Sequence, residues 1–290
     1  MAFSESWSVL EPDLETVFDH EADPLQALAD ARIPGIALRG AYNPDHCSGL
    51  MQRFIDWGMT RDPDDATPAE NLPSRIDIGS SLVNRARGGL RVSDDETENK
   101  DAFLEHSAST HELFSHLFDG FDNPVDTLYD CLSALAVNKE VKVAREPDGR
   151  LYGPAIFRIH YEGHEYVPHV NHVALDDNLF NYEVSRFTYQ FAGLICIQNS
   201  THDGNSPQAI IHRCVWSPEV GSHLSNGTYY EYAAQNKIEQ QQIEVQPGDF
   251  YLFNSGCIHL VAPVEGNAPR TVLATFIGYS EDDDEIFVWA

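Results

Sequence analysis

After Gly149 the chain breaks into a series of short β-prone stretches, and this pattern limits its fold more than any other feature. Ala155–Tyr161, Phe187–Gln198, Ala209–Trp216, Ile238–Val245, Phe250–Phe253, Ile258–Val261, Thr271–Tyr279 and Ile286–Trp289 are rich in β-branched and aromatic residues. Gly, Pro, Asn and Asp mark many of the breaks between them. Strands that follow one another without helices of βαβ spacing exclude a doubly wound parallel sheet. They point to a mainly β protein with flanking helices, built as a double-stranded β-helix of the jelly-roll or cupin-like kind.

The first half reads differently. Ile36–Gly40 is expected as a lead-in strand, and Asn43-Pro44-Asp45 opens a helix over Cys47–Trp57. Phe103, Leu104, Ala108, Phe114, Leu117 and Phe118 recur at helical spacing, Asn123-Pro124 stops them, and Val125, Leu128, Leu132 and Leu135 start another helix. These helices are expected to pack on the outside of a sheet. The division is then one domain over 1–290, with 1–150 as a helical buttress with lead-in strands and 151–290 as the jelly-roll core.

Lys and Arg number 18 against 46 Asp and Glu, a net charge of −28. Such a field repels nucleic acid and anionic membrane, and neither is expected as a partner. No run is long and apolar enough to span a bilayer, and Met1–Trp7 lacks the pattern of a secretory signal, so a cytoplasmic location is expected. Asp62–Asp65, Asp94–Glu96 and Glu281–Glu285 read as solvated acidic faces. The loops over 60–100 and 217–236, the latter with Tyr229, Tyr230 and Tyr232, are candidate lids. Cys47, Cys131, Cys196, Cys214 and Cys257 have no paired spacing and read as reduced thiols, none of them a metal ligand.

The chemistry-bearing residues fall in two segments. Tyr166-Val167-Pro168-His169-Val170-Asn171-His172 offers an imidazole and, two residues on, an amide; alternation along an extended chain puts 169 and 171 on one side and 172 on the other. Far downstream come Pro247-Gly248-Asp249, a strand, Gly256-x-x-His259 and then Arg270. Two imidazoles with open positions beside them suit non-haem iron(II), and a guanidinium nearby suits the distal carboxylate of a small dicarboxylic acid. Arg158 and His160 share a face of the preceding strand. Either reads as a cavity residue near the cosubstrate, with Arg158 a candidate catalytic residue; the other reading of Arg158 is a paired arginine inside the sheet. His164 reads as a loop residue, and His106, His111 and His116 as helix-face histidines.

Pro247-Gly248-Asp249 and His259-Leu260-Val261-Ala262-Pro263-Val264-Glu265-Gly266-Asn267-Ala268-Pro269-Arg270 resemble the C-terminal signature of Fe(II)/2-oxoglutarate-dependent oxygenases. With Arg158, Glu162-Gly163 and His169-Val170, the chain is similar more narrowly to the cyanobacterial indole-alkaloid aliphatic halogenases. The resemblance implies that His169 and His259 bind Fe(II), that Arg270 binds 2-oxoglutarate, and that O2 and a small natural product (an alkaloid, amino acid or nucleoside) are the other reactants. Asn171 departs from the pattern. Hydroxylases of the superfamily carry Asp or Glu there; the halogenases carry Gly or Ala, and the vacated position accepts chloride. A neutral amide favours an anion on iron by charge and opposes it by bulk, so halogenation and hydroxylation both stay open. A reading from another class is a catalytically degenerate jelly-roll binding protein, which an intact Arg270 disfavours.

Overall fold

The computed structural model describes residues 7–62, 71–82, 96–203, 206–266 and 268–290. Short helices α1 (Val17–His20) and α2 (Pro24–Ala29) precede β1 (Ile36–Leu38) and α3 (Pro44–Asp56). The expected start signal holds at α3: Pro44 occupies the first turn and the Asn43 side chain accepts from the Asp45 amide. After β2 (Arg75–Ile78) come α4 (Glu96–Leu117) and α5 (Pro124–Leu135), the latter capped in the same way by Asn123. The α4 helix begins earlier than its apolar pattern, because its first turn is polar and periodicity does not register it. Within the stretch 60–100, residues 63–70 and 83–95 lie outside the described residues, as does Asn267 in the C-terminal segment.

The remaining strands are β3 (Glu140–Val143), β4 (Ile156–His160), β5 (Tyr166–His169), β6 (Tyr189–Gln198), β7 (Ala209–Val215), β8 (Gln240–Ile243), β9 (Phe250–Asn254), β10 (Cys257–Val261), β11 (Arg270–Tyr279) and β12 (Glu285–Trp289). They form two sheets. The larger runs β1-β9-β6-β11, and the far edge of β11 is shared by β4 along Arg270–Ala274 and by β12 along Phe276–Gly278. β2 lies outside β4, and β3 pairs parallel with β12. The smaller sheet runs β5-β10-β7-β8, all antiparallel.

Alternation decides what each face of the larger sheet buries. Phe191, Ile195, Leu273 and Ile277 join Leu50, Phe54, Phe114, Leu117, Leu128 and Leu132 of the helices in one core. Ala192, Cys196, Tyr251, Phe253 and Phe276 turn the other way, into a second cluster with Ala209, Ile211, Ile243 and Cys257 of the smaller sheet. The helices therefore buttress the larger sheet from outside, as expected, and the two sheets face each other. Each fully buried Leu or Phe contributes about 1.5–3 kcal/mol, so the helical half is required by the β half.

The segment 217–236 departs from the expected lid. It forms two helices, α6 (Pro218–Ser225) and α7 (Tyr229–Gln235), and Ser217 caps the first. Tyr229 is buried with Val220, Ala233 and Ile258. Ile258 alternates with Cys257 and His259, so these helices cover the outer face of the smaller sheet rather than the space between the sheets.

Pro247-Gly248-Asp249 fastens the lead-in strand to this frame. The buried Asp249 carboxylate accepts from the Gly40 amide (2.9 Å), the Gln246 amide (2.9 Å) and the Arg39 guanidinium (2.8 Å). Gly248 sits at φ +94, where a Cβ meets the Tyr42 carbonyl oxygen at 2.3 Å, so only glycine fits this turn. Asp249→Ala, which removes all three acceptor contacts, is expected to lower stability by about 2–4 kcal/mol. The measurement is the midpoint of urea unfolding followed by circular dichroism; an unchanged midpoint contradicts the assignment.

Candidate metal centre

Antiparallel pairing of β5 with β10 sets His169 and His259 directly opposite one another. Their ring centroids stand 4.2 Å apart. Each ring is oriented by its own strand: His169 Nδ1–H donates to the Val167 carbonyl (2.8 Å) and His259 Nδ1–H to the Cys257 carbonyl (2.9 Å). Both bonds place the proton on Nδ1 and leave Nε2 as a lone-pair donor, the arrangement in which a backbone carbonyl fixes a metal-binding histidine. Burial, and then the neighbouring His169, hold the His259 imidazole well below the usual histidine range, so it is neutral at neutral pH.

Asn171 follows β5 and is pinned through its main chain. Its N–H donates to the Ser255 carbonyl (2.9 Å), and its carbonyl accepts from the Ser255 hydroxyl (2.7 Å). The side chain then reaches the same space: Nδ2 lies 3.3 Å from His259 Nε2. The amide thus engages the lone pair that a metal takes, and rotation of the amide group substitutes its oxygen there. His172 turns away, with Nε2 against the Thr188 carbonyl (3.1 Å) and Nδ1 accepting from the Ala174 amide (3.2 Å). Among the described residues no group of three or more His, Cys, Asp or Glu could hold a metal. The groups brought together are two imidazoles and an amide, a set that could hold iron(II) together with an exchangeable anion.

The Arg270 guanidinium lies in the same cavity, 3% exposed. It donates to the Pro207 carbonyl (3.1 Å), to the Tyr251 hydroxyl (3.0 Å) and, at 3.5 Å, to His160 Nδ1. All three acceptors are neutral, and among the described residues no carboxylate forms an ion pair with it. A buried, hydrogen-bonded cation without a counter-ion is a prepared anion site. Burial raises the Tyr251 phenol, keeping it a neutral hydroxyl. His160 in turn lies 3.0 Å from the Tyr166 hydroxyl and stacks on His164 at 4.6 Å. Burial pushes His164 down to about 4, and its Nδ1 lies 3.2 Å from the Ser74 hydroxyl, so it supports the site without facing the paired histidines.

Arg158 also lines the cavity, facing inward from β4 with His160. Its polar surroundings are Tyr166, which bonds the guanidinium, and Asp77 across the strand pair. Asp77, its cross-strand partner, is engaged by Arg75 through two short bonds (2.7 and 2.6 Å), and Arg158 Nε has no hydrogen-bond partner. Burial pulls this guanidinium below its usual pKa, with Tyr166 opposing. The cavity measures about 840 Å³ including its open mouth. Arg75, Arg158 and Arg270 line it, and among the described residues it contains no Asp or Glu side chain, in a chain of net charge −28.

Sequence reasoning brought His169, His259, Asn171, Arg158 and Arg270 to one place, and it missed Tyr251, Tyr166 and Arg75. Tyr251 sits two residues beyond Asp249 on the inward face of β9, a position that alternation marks only once the inward face is known. Arg75 lies in a stretch read as loop. Tyr229, Tyr230 and Tyr232 are not among the cavity residues. Four of the five free cysteines are buried, and none lines the cavity.

Among solved structures, the chain is similar to an N-substituted L-amino acid dioxygenase from Burkholderia ambifaria AMMD, at 16% identity and a TM-score of 0.51 over 92% of this chain and 90% of that one. It is more distantly similar to HygX from Streptomyces hygroscopicus, solved with nickel and 2-oxoglutarate, at 9% identity and a TM-score of 0.45 over 87% and 85%. No curated protein sequence matches. The family model described as carrier-protein-independent halogenase WelO5 matches residues 7–290, so nearly the whole chain falls under it. The chain belongs to the carrier-protein-independent halogenase WelO5 family.

Proposed function

We propose that His169 and His259 hold Fe(II), that Arg270 grips the distal carboxylate of 2-oxoglutarate, and that Asn171 governs which anion or oxygen ligand stands beside the metal. As a member of its family the protein is an Fe(II)/2-oxoglutarate-dependent oxygenase that functionalises a C–H bond of a small molecule. Bound iron supplies the redox chemistry that couples decarboxylation of 2-oxoglutarate by O2 to cleavage of that bond. The two facing sheets are read as the double-stranded β-helix of this superfamily, with 1–290 as one catalytic unit. The single observation that carries the assignment is the pairing of His169 with His259, each with Nδ1 tied to a carbonyl, in one cavity with an arginine that has no counter-ion.

Within that frame we favour halogenation. The residues offer positive charge and no side-chain carboxylate to the metal position, and a halide supplies the missing negative charge. Hydroxylation is the second reading, because the Asn171 amide already stands against His259 Nε2 where a halide needs room. The protein's own part is orientation and exclusion of water: Phe253 packs edge-on against His259 at 5.0 Å, and Ala209 and Val261 close the floor beside it. Nothing among the described residues favours a degenerate binding protein.

Anaerobic addition of Fe(II) and 2-oxoglutarate is expected to give a visible charge-transfer band, and His259→Ala is expected to abolish it. A featureless spectrum from the wild type overturns the iron assignment. Arg270→Gln is expected to weaken 2-oxoglutarate binding at least ~30-fold, since truncating a buried charge pair costs about 2–5 kcal/mol. Chloride titrated into the anaerobic complex tests position 171: Asn171→Gly should bind it more tightly than wild type, and Asn171→Asp at least tenfold more weakly. Equal responses from all three place Asn171 outside the metal's reach.

A further inference from the structure

We propose that Arg158 is the recognition point for a carboxylate on the substrate, so that the enzyme acts on an apolar carboxylic acid or amino acid. This inference rests on the assignment of Arg270 to 2-oxoglutarate. With that assignment both carboxylates of the cosubstrate have partners, one on Arg270 and one at the metal, and a second guanidinium in the cavity is left over. Arg158 stands opposite Val272 on β11, two residues on from Arg270. At 3.3–3.4 Å per residue that is roughly 7 Å along the strand, far enough for a separate anion.

Several observations favour a ligand over a structural role. Arg158 Nε is buried without a hydrogen-bond partner. Its cross-strand neighbour Asp77 is held by Arg75. Among the described residues no Asp or Glu side chain forms an ion pair with Arg158, and none lines the cavity. Tyr166 also bonds this guanidinium, and Nε is the donor left without a partner. One remaining guanidinium suits a planar monoanion, whereas a phosphate dianion calls for more cations than remain once Arg75 is engaged. Around Arg158 the wall is apolar, made by Ile156, Leu194, Val272 and Phe276, which suits a hydrocarbon body extending from the charged end.

The test is calorimetry on the anaerobic Fe(II) holoenzyme at saturating 2-oxoglutarate, using the acids 4-phenylbutyrate, indole-3-acetate and hexanoate against their amides. At least one acid is expected to bind tenfold or more tightly than its amide. Arg158→Met is expected to erase that preference while 2-oxoglutarate affinity stays within twofold, and Arg158→Lys to retain part of it. Equal binding of acid and amide, no binding by any acid, or loss of acid binding as 2-oxoglutarate is raised overturns the proposal. A fall in 2-oxoglutarate affinity in Arg158→Met, with acid preference intact, also overturns it and moves Arg158 to the cosubstrate. Failure of the wild type to bind 2-oxoglutarate at all is a different result, and it defeats the underlying assignment of Arg270.

Discussion

The pairing of β5 with β10 is the constraint on which the rest depends. An antiparallel register is a discrete choice: a slip of one residue turns every side chain to the opposite face. With His169 opposite His259 the two imidazoles meet. With any odd slip one of them would point toward the helices that back the smaller sheet. The register is held from both ends, by the β7 partner of β10 and by the two bonds that join Asn171 to Ser255. The bonds from each ring to a carbonyl two residues earlier then convert strand position into a defined tautomer.

Electrostatics in this molecule is divided between outside and inside. The chain carries −28 overall, yet the space between its sheets gathers three arginines and no acidic side chain among the described residues. Buried cations of this kind destabilise a fold when left alone. Asp77 already pairs with Arg75, and retention of the other two is understandable where anions arrive to neutralise them, as the carboxylates of the proposed cosubstrate and substrate would. The acidic exterior faces solvent and leaves the polarity of the cavity to a few side chains on β2, β4 and β11.

Much of this was legible in the sequence. The strand series, the helix starts at Asn43-Pro44 and Asn123-Pro124, and the trio His169, His259 and Arg270 could be read because each rests on a local rule: alternation, capping chemistry or a spaced motif. The segment 217–236 was misread as a lid for a related reason. Tyrosines in a polar stretch look like loop residues until the apolar back of β10 is there to bury them. Tyr251 and Arg75 escaped because their roles come from packing across sheets, and periodicity names two faces without saying which one encloses the cavity.

Asn171 hangs from a segment whose position is set by main-chain contacts, both of them to Ser255. A side chain mounted in this way is interchangeable, since the scaffold does not rely on its identity. A single codon change at that place can therefore alter what stands beside the proposed metal position while the two imidazoles and the arginine stay put. A protein built on such a mounting is free to change the atom it delivers to carbon without redesigning the two sheets that carry it.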